Sequence, residues 1–525
     1  MNIRKHIVAA ASQVVLDMLV PQCGPKLWQN TAELRARLHE LNLIPGEKVN
    51  TKMEIVEIQK DGTILAELSG GCLAWKGSTI LTMKQPFPVG LVDFKGSLKD
   101  VRSVIRAIPG VKVHKGGNIQ NMTLDILVLM ESLSHKFPAT YGPEGLRVVS
   151  ATSSDPFEGL DAATANRFRK LCDVYLLALE DRYAIQFPWE SGAQRGYLSI
   201  TSEPDSLLPA LQTLIAQNHS FANSLYHSTC VITSDAIGPV MDQVQGKPAY
   251  IINPSSQKRP PVAIETAHRP AILPMNHKEA QHVLHIMLAQ AQNEELHNVK
   301  APVFPSPITP SGRHIDHESL QVLDNSLGLY RRYDPPYAKL NDVGFSEIGF
   351  SSVITFGEEG GVIHGVGTGN NSFYCFTSIP DEEGRNRIDR YTERNRFCRN
   401  GHDVGCGDSV AATITLFNAV NPSPLIAEFM QGNEAKHATF SDLAATVFVS
   451  AASRVLGYLL FRTTNTYIDN IKPEKLLKLL QDLANSCVKL TRQIVKKTDE
   501  PSFGILPLFG IRCVTWIPGN CLTFD

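Results

Sequence analysis

The sequence lacks the features that mark several specialised classes of protein. Its 50 Lys and Arg residues against 52 Asp and Glu residues leave a formal charge of -2, so no overall positive charge favours nucleic acid as a partner. Ten cysteines are spread over 525 residues, with no Cys-x-x-Cys pair and no His/Cys cluster of metal-ligand spacing. We therefore interpret the cysteines as reduced thiols of a cytoplasmic protein.

Long uninterrupted apolar runs are also absent, and no stretch is long enough to span a membrane. Residues 7–20 follow Arg4 and Lys5 and superficially resemble a signal peptide. Gln13 and Asp17 interrupt this run, and no cleavage site of small residues follows it. The pattern predicts an amphipathic helix instead, and no membrane partner.

What is present is an ordinary globular composition, with 43% hydrophobic and 19% charged residues. The length allows two or more domains. Residues 1–86 are predicted to form an appended segment, with a helix over 31–41 and strands over 52–59 and 63–68. The strands flank Asp61-Gly62, which is a strong hairpin signal.

Residues 87–472 alternate short apolar runs with helical stretches, which predicts βαβ units and a mainly parallel sheet covered on both faces. Ligands of such sheets bind beyond the carboxyl ends of the strands. Residues 473–525 are predicted to form an amphipathic helix (473–497) and a tail that pack on this domain. The predicted strands are 89–92, 146–150, 230–233, 249–252 and 352–356, and the predicted helices are 122–133, 162–181, 207–217, 277–291 and 408–420.

The strongest chemical signal is Gly405-Cys406-Gly407-Asp408, just before a predicted helix. Unpaired N–H groups and the dipole of a helix start favour an anion, and glycines let the backbone approach it. Asp408 would then accept a proton from a hydroxyl that attacks phosphorus. The alternative is a glycine-rich turn with Asp408 as a helix cap.

This stretch resembles the Gly-Ala-Gly-Asp signature of the ribokinase/PfkB sugar kinases, and three further stretches match that family in the same order over residues 88–470. The resemblance implies a ribokinase-like three-layer αβα fold. Such folds often carry a small β lid, for which residues 112–114 and 183–200 are candidates. Fold alone does not fix the substrate.

The first further stretch is Gly116-Gly117, followed by Asn121. In the family, the glycines approach the sugar and the Asn bonds its hydroxyls, and Asp93 occupies the position of another sugar-binding Asp. The turn at 154–159 matches a family turn after the next strand. The alternative for Gly116-Gly117 is a plain loop.

The second stretch places Asn276 and Glu279 on the first turn of a helix. In the family, this pair helps to hold Mg²⁺, largely through water, and the phosphates, and hard oxygen ligands suit that ion. The alternative is a capping box, with Asn276 as the N-cap and Glu279 as its partner.

The third stretch, residues 353–360, resembles the family strand and turn that border the nucleotide. Thr355, Gly357 and Gly360 would then lie near the donor. The alternative is an ordinary strand and turn.

Some features depart from the family. Cys406 replaces the usual Ala, and a helix N-terminus could make its thiol reactive. A long connection over 361–401 carries an arginine run that could clamp a phosphate or form a solvated loop. The arginines are Arg385, Arg387, Arg390, Arg394, Arg396 and Arg399.

Together these features predict a Mg²⁺-dependent kinase that moves the terminal phosphate of a nucleotide, ATP in the leading interpretation, to a sugar or nucleoside. An ADP-dependent sugar kinase and a non-catalytic sensor of kinase fold remain as alternatives. A homodimer also stays open.

Overall fold

The computed structural model describes part of the chain. The described residues are 5–10, 15–19, 53–58, 63–68, 71–76, 79–84, 90–92, 112–116, 118–152, 155–157, 160–177, 183–186, 197–202, 207–233, 249–252, 271–272, 274–333, 349–367, 372–391, 406–460, 471–495 and 500–518. The predicted helix over 31–41 lies outside them.

A parallel sheet forms the centre of the molecule, in the strand order β10-β9-β1-β13-β14-β15. Its strands are rich in Val, Ile and Cys, and several are buried on both faces, as parallel strands covered by helices must be. The predicted α/β class is confirmed. The strands are β1 (Lys5–Ala10), β9 (Leu146–Thr152), β10 (Cys172–Leu176), β13 (Ser228–Thr233), β14 (Ala249–Ile252) and β15 (Ala271–Ile272).

A second sheet begins where the first one ends. Leu273 and Pro274 separate β15 from the next strand, and proline cannot donate to a strand ladder. The order is β16-β17-β18-β19-β21-β20, of which only β16 and β17 pair in parallel. The strands are β16 (Met275–Asn276), β17 (Gly349–Thr355), β18 (Gly361–Val366), β19 (Ser372–Thr377), β20 (Ser502–Leu506) and β21 (Ile511–Trp516).

The N-terminus corrects two predictions. Residues 7–20 do not form a helix, because β1 and β2 (Val15–Leu19) occupy them. β1 also lies between β9 and β13, so residues 5–10 belong to the parallel sheet and not to an appended segment. Periodicity alone cannot separate a strand buried on both faces from a buried helix, and Ile7 and Val8 are fully buried.

Two smaller antiparallel sheets complete the strands. The predicted hairpin is confirmed, since β3 (Met53–Ile58) pairs with β4 (Thr63–Leu68) in a four-stranded sheet with β5 (Gly71–Lys76) and β6 (Thr79–Lys84). The candidate lid residues fall in a separate five-stranded sheet of order β7-β11-β12-β2-β8. This sheet also takes the predicted strand 89–92, which was expected in the parallel sheet. Its remaining strands are β7 (Gly90–Val92), β8 (Lys112–Gly116), β11 (Tyr183–Gln186) and β12 (Tyr197–Ser202).

Helices connect the strands largely as predicted. The helix predicted over 162–181 is wrong in its second half, because it ends at Arg169 and β10 follows, with the strand-forming Val174 and Tyr175. Among the described residues, the α-helices are α1 (Asn118–Ser134), α2 (Pro138–Tyr141), α3 (Ala162–Arg169), α4 (Leu207–Gln217), α5 (His219–Tyr226), α6 (His277–Gln292), α7 (His317–Tyr333), α8 (Glu382–Ile388), α9 (Cys406–Ala419), α10 (Ser423–Ala427), α11 (Ala438–Leu460) and α12 (Pro473–Ile494).

α11 is the one described helix that is long and apolar enough to cross a bilayer, and 94% of its most apolar window is buried inside the protein. It packs against α9, α12 and the β18–β19 hairpin. Both its composition and its burial fit a central core helix.

The C-terminal region is part of the sheet as well as a cover for it. α12 is amphipathic, as predicted, and buries Leu476, Leu480 and Leu483. The tail was expected to pack on the domain, but β21 pairs with β19 and β20 pairs with β21, so the tail extends the second sheet. Nearly all residues of 511–516 are buried, as expected for a strand with a neighbour on each side.

Candidate functional site

The end of α9 is bonded to the start of β17. The Asn418 side chain accepts a hydrogen bond from the Phe350 N–H at 2.8 Å and donates to the Phe350 carbonyl at 3.2 Å. Asp408 lies at the opposite end of this helix, in its first turn.

Asp408 is hydrogen-bonded to Asn121. The Asn121 Nδ2 donates to Asp408 Oδ2 at 2.8 Å, across 287 positions of sequence. The Asp408 residue is 6% exposed. Two motifs that were predicted from separate stretches, the first turn of α1 and the first turn of α9, thus meet in space.

The helix at this site begins earlier than predicted. α9 starts at Cys406, so Asp408 lies within its first turn instead of opening it. The Asp408 carboxylate accepts a hydrogen bond from a side chain of another helix. A residue that served only as a helix cap would not need this bond. A carboxylate in the first turn of a helix is also stabilised by the helix dipole.

One turn further along α1, a second bond joins the same two helices. The Ser409 hydroxyl donates to Asp125 Oδ2 at 2.6 Å, and both residues are 1% exposed. A short bond from a hydroxyl to a buried carboxylate is among the stronger hydrogen bonds in proteins. α1 and α9 are therefore bonded to each other at Asp408 and at the next residue, Ser409.

A turn at the end of β9 supports the start of α1. The Gln120 side chain donates to the Pro156 carbonyl, and the Asp155 carboxylate accepts the Phe157 N–H at 2.9 Å. The turn predicted over 154–159 is described at 155–157 only. Since this turn follows β9, Asn121 and Asp408 lie near the carboxyl end of β9.

Asn276 and Glu279 form the capping box that was left open as an alternative. The Asn276 Oδ1 accepts the N–H groups of Lys278 at 3.0 Å and Glu279 at 2.9 Å, and Glu279 Oε2 accepts the Asn276 N–H at 2.9 Å. Asn276 is also the strand neighbour of Thr355. The second and third motifs therefore adjoin each other at the carboxyl ends of β16 and β17.

The turn between β17 and β18 requires glycine. Gly357 has φ +60 and Gly360 has φ +125, a region that other residues rarely adopt. Behind the turn, Arg454 Nη1 donates to the Gly360 carbonyl at 3.4 Å. Burial lowers the pKa of Arg454 to about 10, so the guanidinium remains charged at neutral pH.

The structure describes some of the other predicted site residues and not others. Gly116 ends β8 immediately before α1, Cys406 begins α9, and Gly407 is exposed with open space around it. Asp93, Gly117 and Gly405 lie outside the described residues.

The arginine run is not a simple loop. Residues 361–391 contain β18, β19 and α8. Arg385 donates to the Pro380 carbonyl and lies 5.8 Å from the Tyr458 ring centre, while Arg387 pairs with Glu383. These contacts are structural, and Arg394, Arg396 and Arg399 lie outside the described residues.

Sequence reasoning missed Asp125, Ser409 and Arg454. Asp125 stands alone among apolar residues of α1, and Arg454 stands alone among those of α11. A charged residue is rarely buried without a partner, so each isolated charge was a usable signal. Their partners could not be read, since those lie far away in the sequence.

Neither a protein-family model nor a curated protein matches this chain. Solved structures do match. An adenosine kinase from Anopheles gambiae is 10% identical, with a TM-score of 0.36, over 72% of this chain and 88% of the other. A carbohydrate kinase from Agrobacterium tumefaciens is 12% identical, with a TM-score of 0.28, over 70% and 88%.

An adenosine kinase from Trypanosoma brucei brucei is 10% identical, with a TM-score of 0.28, over 67% of this chain and 87% of the other. The matched proteins are two adenosine kinases and a carbohydrate kinase. The chemistry proposed below rests on the geometry of the site.

The described part of the chain brings together no group of three His, Cys, Asp or Glu side chains that could hold a metal ion. Magnesium needs fewer protein ligands, because it keeps several waters. The capping box could bind magnesium through one of its two residues. Glu279 supplies a carboxylate, whereas the Asn276 amide oxygen already accepts two N–H groups.

Proposed function

We propose that this protein is a phosphotransferase that moves the terminal phosphate of a nucleotide to a hydroxyl of a sugar or nucleoside. The observation that carries the proposal is the hydrogen bond from Asn121 to Asp408. The bond joins the motif proposed to bind the acceptor, at Asn121, to the motif proposed to supply the base, at Asp408. Both lie at the edge of the sheet where such folds bind ligands.

Asp408 acts as the general base in this proposal. The acceptor hydroxyl passes its proton to the carboxylate as its oxygen attacks phosphorus. Asn121 orients the carboxylate by donating to one of its oxygens. The N–H groups of Cys406, Gly407 and Asp408, in the first turn of α9, would bind the developing negative charge.

The donor nucleotide lies along the ends of β16 and β17. Thr355 and the glycine turn at Gly357 and Gly360 support this assignment, because backbone without side chains allows close approach. Glu279 would hold Mg²⁺ through water. The ion would neutralise charge on the phosphates.

The acceptor lies against the first turn of α1. Gly116, Gly117, Asn121 and Asp93 are its proposed contacts, and the five-stranded sheet that ends in β8 is its proposed lid. These contacts suit an acceptor with several hydroxyl groups and do not identify a particular sugar or nucleoside.

The test is phosphate transfer from labelled ATP or ADP to a panel of sugars and nucleosides. Replacing Asp408 by Asn removes the base while keeping the shape, so we expect turnover to fall about 10²–10⁴-fold with the fold intact.

Asp161→Asn is the matched control, because Asp161 caps α3 and asparagine caps helices equally well. It should keep full turnover. Ligand binding without transfer by the unsubstituted protein would favour a non-catalytic sensor, and transfer from ADP alone would favour the ADP-dependent alternative. Unchanged turnover of Asp408→Asn would refute the mechanism.

A further inference from the structure

The bond between Ser409 and Asp125 differs from the other buried hydroxyl contacts of α9. Thr413 and Thr415 donate to carbonyls one turn back in their own helix, at 2.8 Å each. Such bonds are local and fix no second element. Ser409 instead reaches a carboxylate on α1, 284 positions away.

The carboxylate of Asp125 is unusual in its own helix as well. It is 1% exposed on α1, whose neighbouring residues Leu124, Ile126 and Leu127 are buried and apolar. Burying a carboxylate is unfavourable unless hydrogen bonds compensate, and an apolar residue would serve packing alone at least as well. The Ser409 hydroxyl supplies such a bond.

The position of this bond relates it to the proposed base. Asn121 and Asp125 are four residues apart and therefore share one face of α1. They bond to two consecutive residues of α9, Asp408 and Ser409. A shift of α9 along or around its axis would break both bonds, so the Ser409 bond fixes where the Asp408 carboxylate lies relative to Asn121.

We propose that Asp125, acting through Ser409, is a positioning residue for the Asp408 base. The inference rests on the proposed phosphotransferase function. Neither Asp125 nor Ser409 touches the reactants; they hold the first turn of α9 so that the carboxylate faces the acceptor hydroxyl. Small displacements of a reacting group are enough to slow an enzyme substantially.

The first experiment compares Ser409→Ala with the unsubstituted protein, using ATP and the best acceptor of the panel. We expect kcat to fall about 10- to 100-fold with little change in the KM of the acceptor. Ser409→Thr keeps the hydroxyl and should retain most of kcat. Asp125→Asn should lower kcat in the same way as Ser409→Ala.

Thr415→Val is the matched control, because it removes an equally buried hydroxyl from the same helix about two turns further on. It should lower the melting temperature about as much as Ser409→Ala while kcat is kept. Equal losses of kcat in the two variants would show a purely structural role and overturn the inference.

A double variant tests whether the effect passes through the base. In the Asp408→Asn background, adding Ser409→Ala should cause no further loss of kcat, since there is no base left to position. A full additional loss would overturn the inference.

A crystal structure of Ser409→Ala gives a readout that does not need turnover. The distance from Asn121 Nδ2 to Asp408 Oδ2, 2.8 Å in the unsubstituted protein, should lengthen beyond about 3.5 Å. An unchanged distance overturns the positioning role even if the protein is an active kinase. Absence of transfer by the unsubstituted protein overturns the proposed function instead, and with it the catalytic part of this inference.

Discussion

At the scale of single residues, the turn after β17 depends on glycine. Gly360 has φ +125, and a Cβ on it would lie 2.0 Å from the Thr377 carbonyl oxygen. The backbone angle and the neighbouring strand cannot adjust to an added Cβ without disturbing the hydrogen bonds between β18 and β19. The turn that requires this glycine lies on the proposed donor side of the site.

We expect Gly360→Ala to destabilise the protein by about 1–3 kcal/mol, because the strained backbone and the clash act together. The urea midpoint of unfolding measures this effect. Gly328→Ala is the matched control: Gly328 lies in α7 with open space around the added methyl group, and alanine should stabilise the helix by about 0.5–1 kcal/mol. A loss of stability in Gly328→Ala, with none in Gly360→Ala, would contradict the requirement for glycine at position 360.

At the scale of elements, an ion pair fastens α12 to the turn before α11. Arg492 forms a two-pronged contact with Glu434, at 2.7 Å and 2.9 Å, and also donates to the Phe429 carbonyl. The Arg492 guanidinium lowers the pKa of Glu434. The folded state therefore favours ionised Glu434, and stability gained from the pair is present at neutral pH.

We expect Glu434→Gln to cost about 1 kcal/mol at pH 7, at the upper end for pairs near the surface. Because the pKa of Glu434 is lowered on folding, the difference from the unsubstituted protein should shrink as the pH falls below about 4.5 and through the lowered pKa. Urea midpoints at several pH values measure it. A difference at Glu434 that does not change with pH would contradict the pairing.

At the scale of the whole molecule, β1 organises the parallel sheet although it is the first described element of the chain. It pairs with β9 on one side and β13 on the other, and residues 7–10 are buried. At the other end of the described residues, β20 and β21 complete the second sheet. Truncation at either end would remove strands that other strands need as partners.

We expect the amides of β1 to exchange with deuterium as slowly as those of β9 and β13, because opening them requires opening the sheet. Hydrogen exchange followed by mass spectrometry measures this directly. The edge strands β10 and β20 should exchange faster. Rapid exchange in β1 would contradict its central place in the sheet.

Much of the fold was predictable where local signals and tertiary structure agree. The hairpin at Asp61-Gly62, the strand over residues 249–252 and the helix from His277 were found because turn chemistry, apolar runs and capping residues are local properties. The helix predictions for residues 7–20 and for the second half of 162–181 were wrong because a short apolar run satisfies a buried strand as well as a helix. Only the partners on each side decide between them.

The sequence by itself indicated candidate residues for the chemistry and placed them at the ends of strands and the starts of helices. It could do so because glycine, asparagine and aspartate have backbone and capping preferences that act over a few residues. Only the tertiary structure decided which of them meet. Asn121 and Asp408, like Asp125 and Ser409, are joined across more than half the chain. Such contacts arise from the packing of α1 against α9 over a common sheet, which no local pattern encodes.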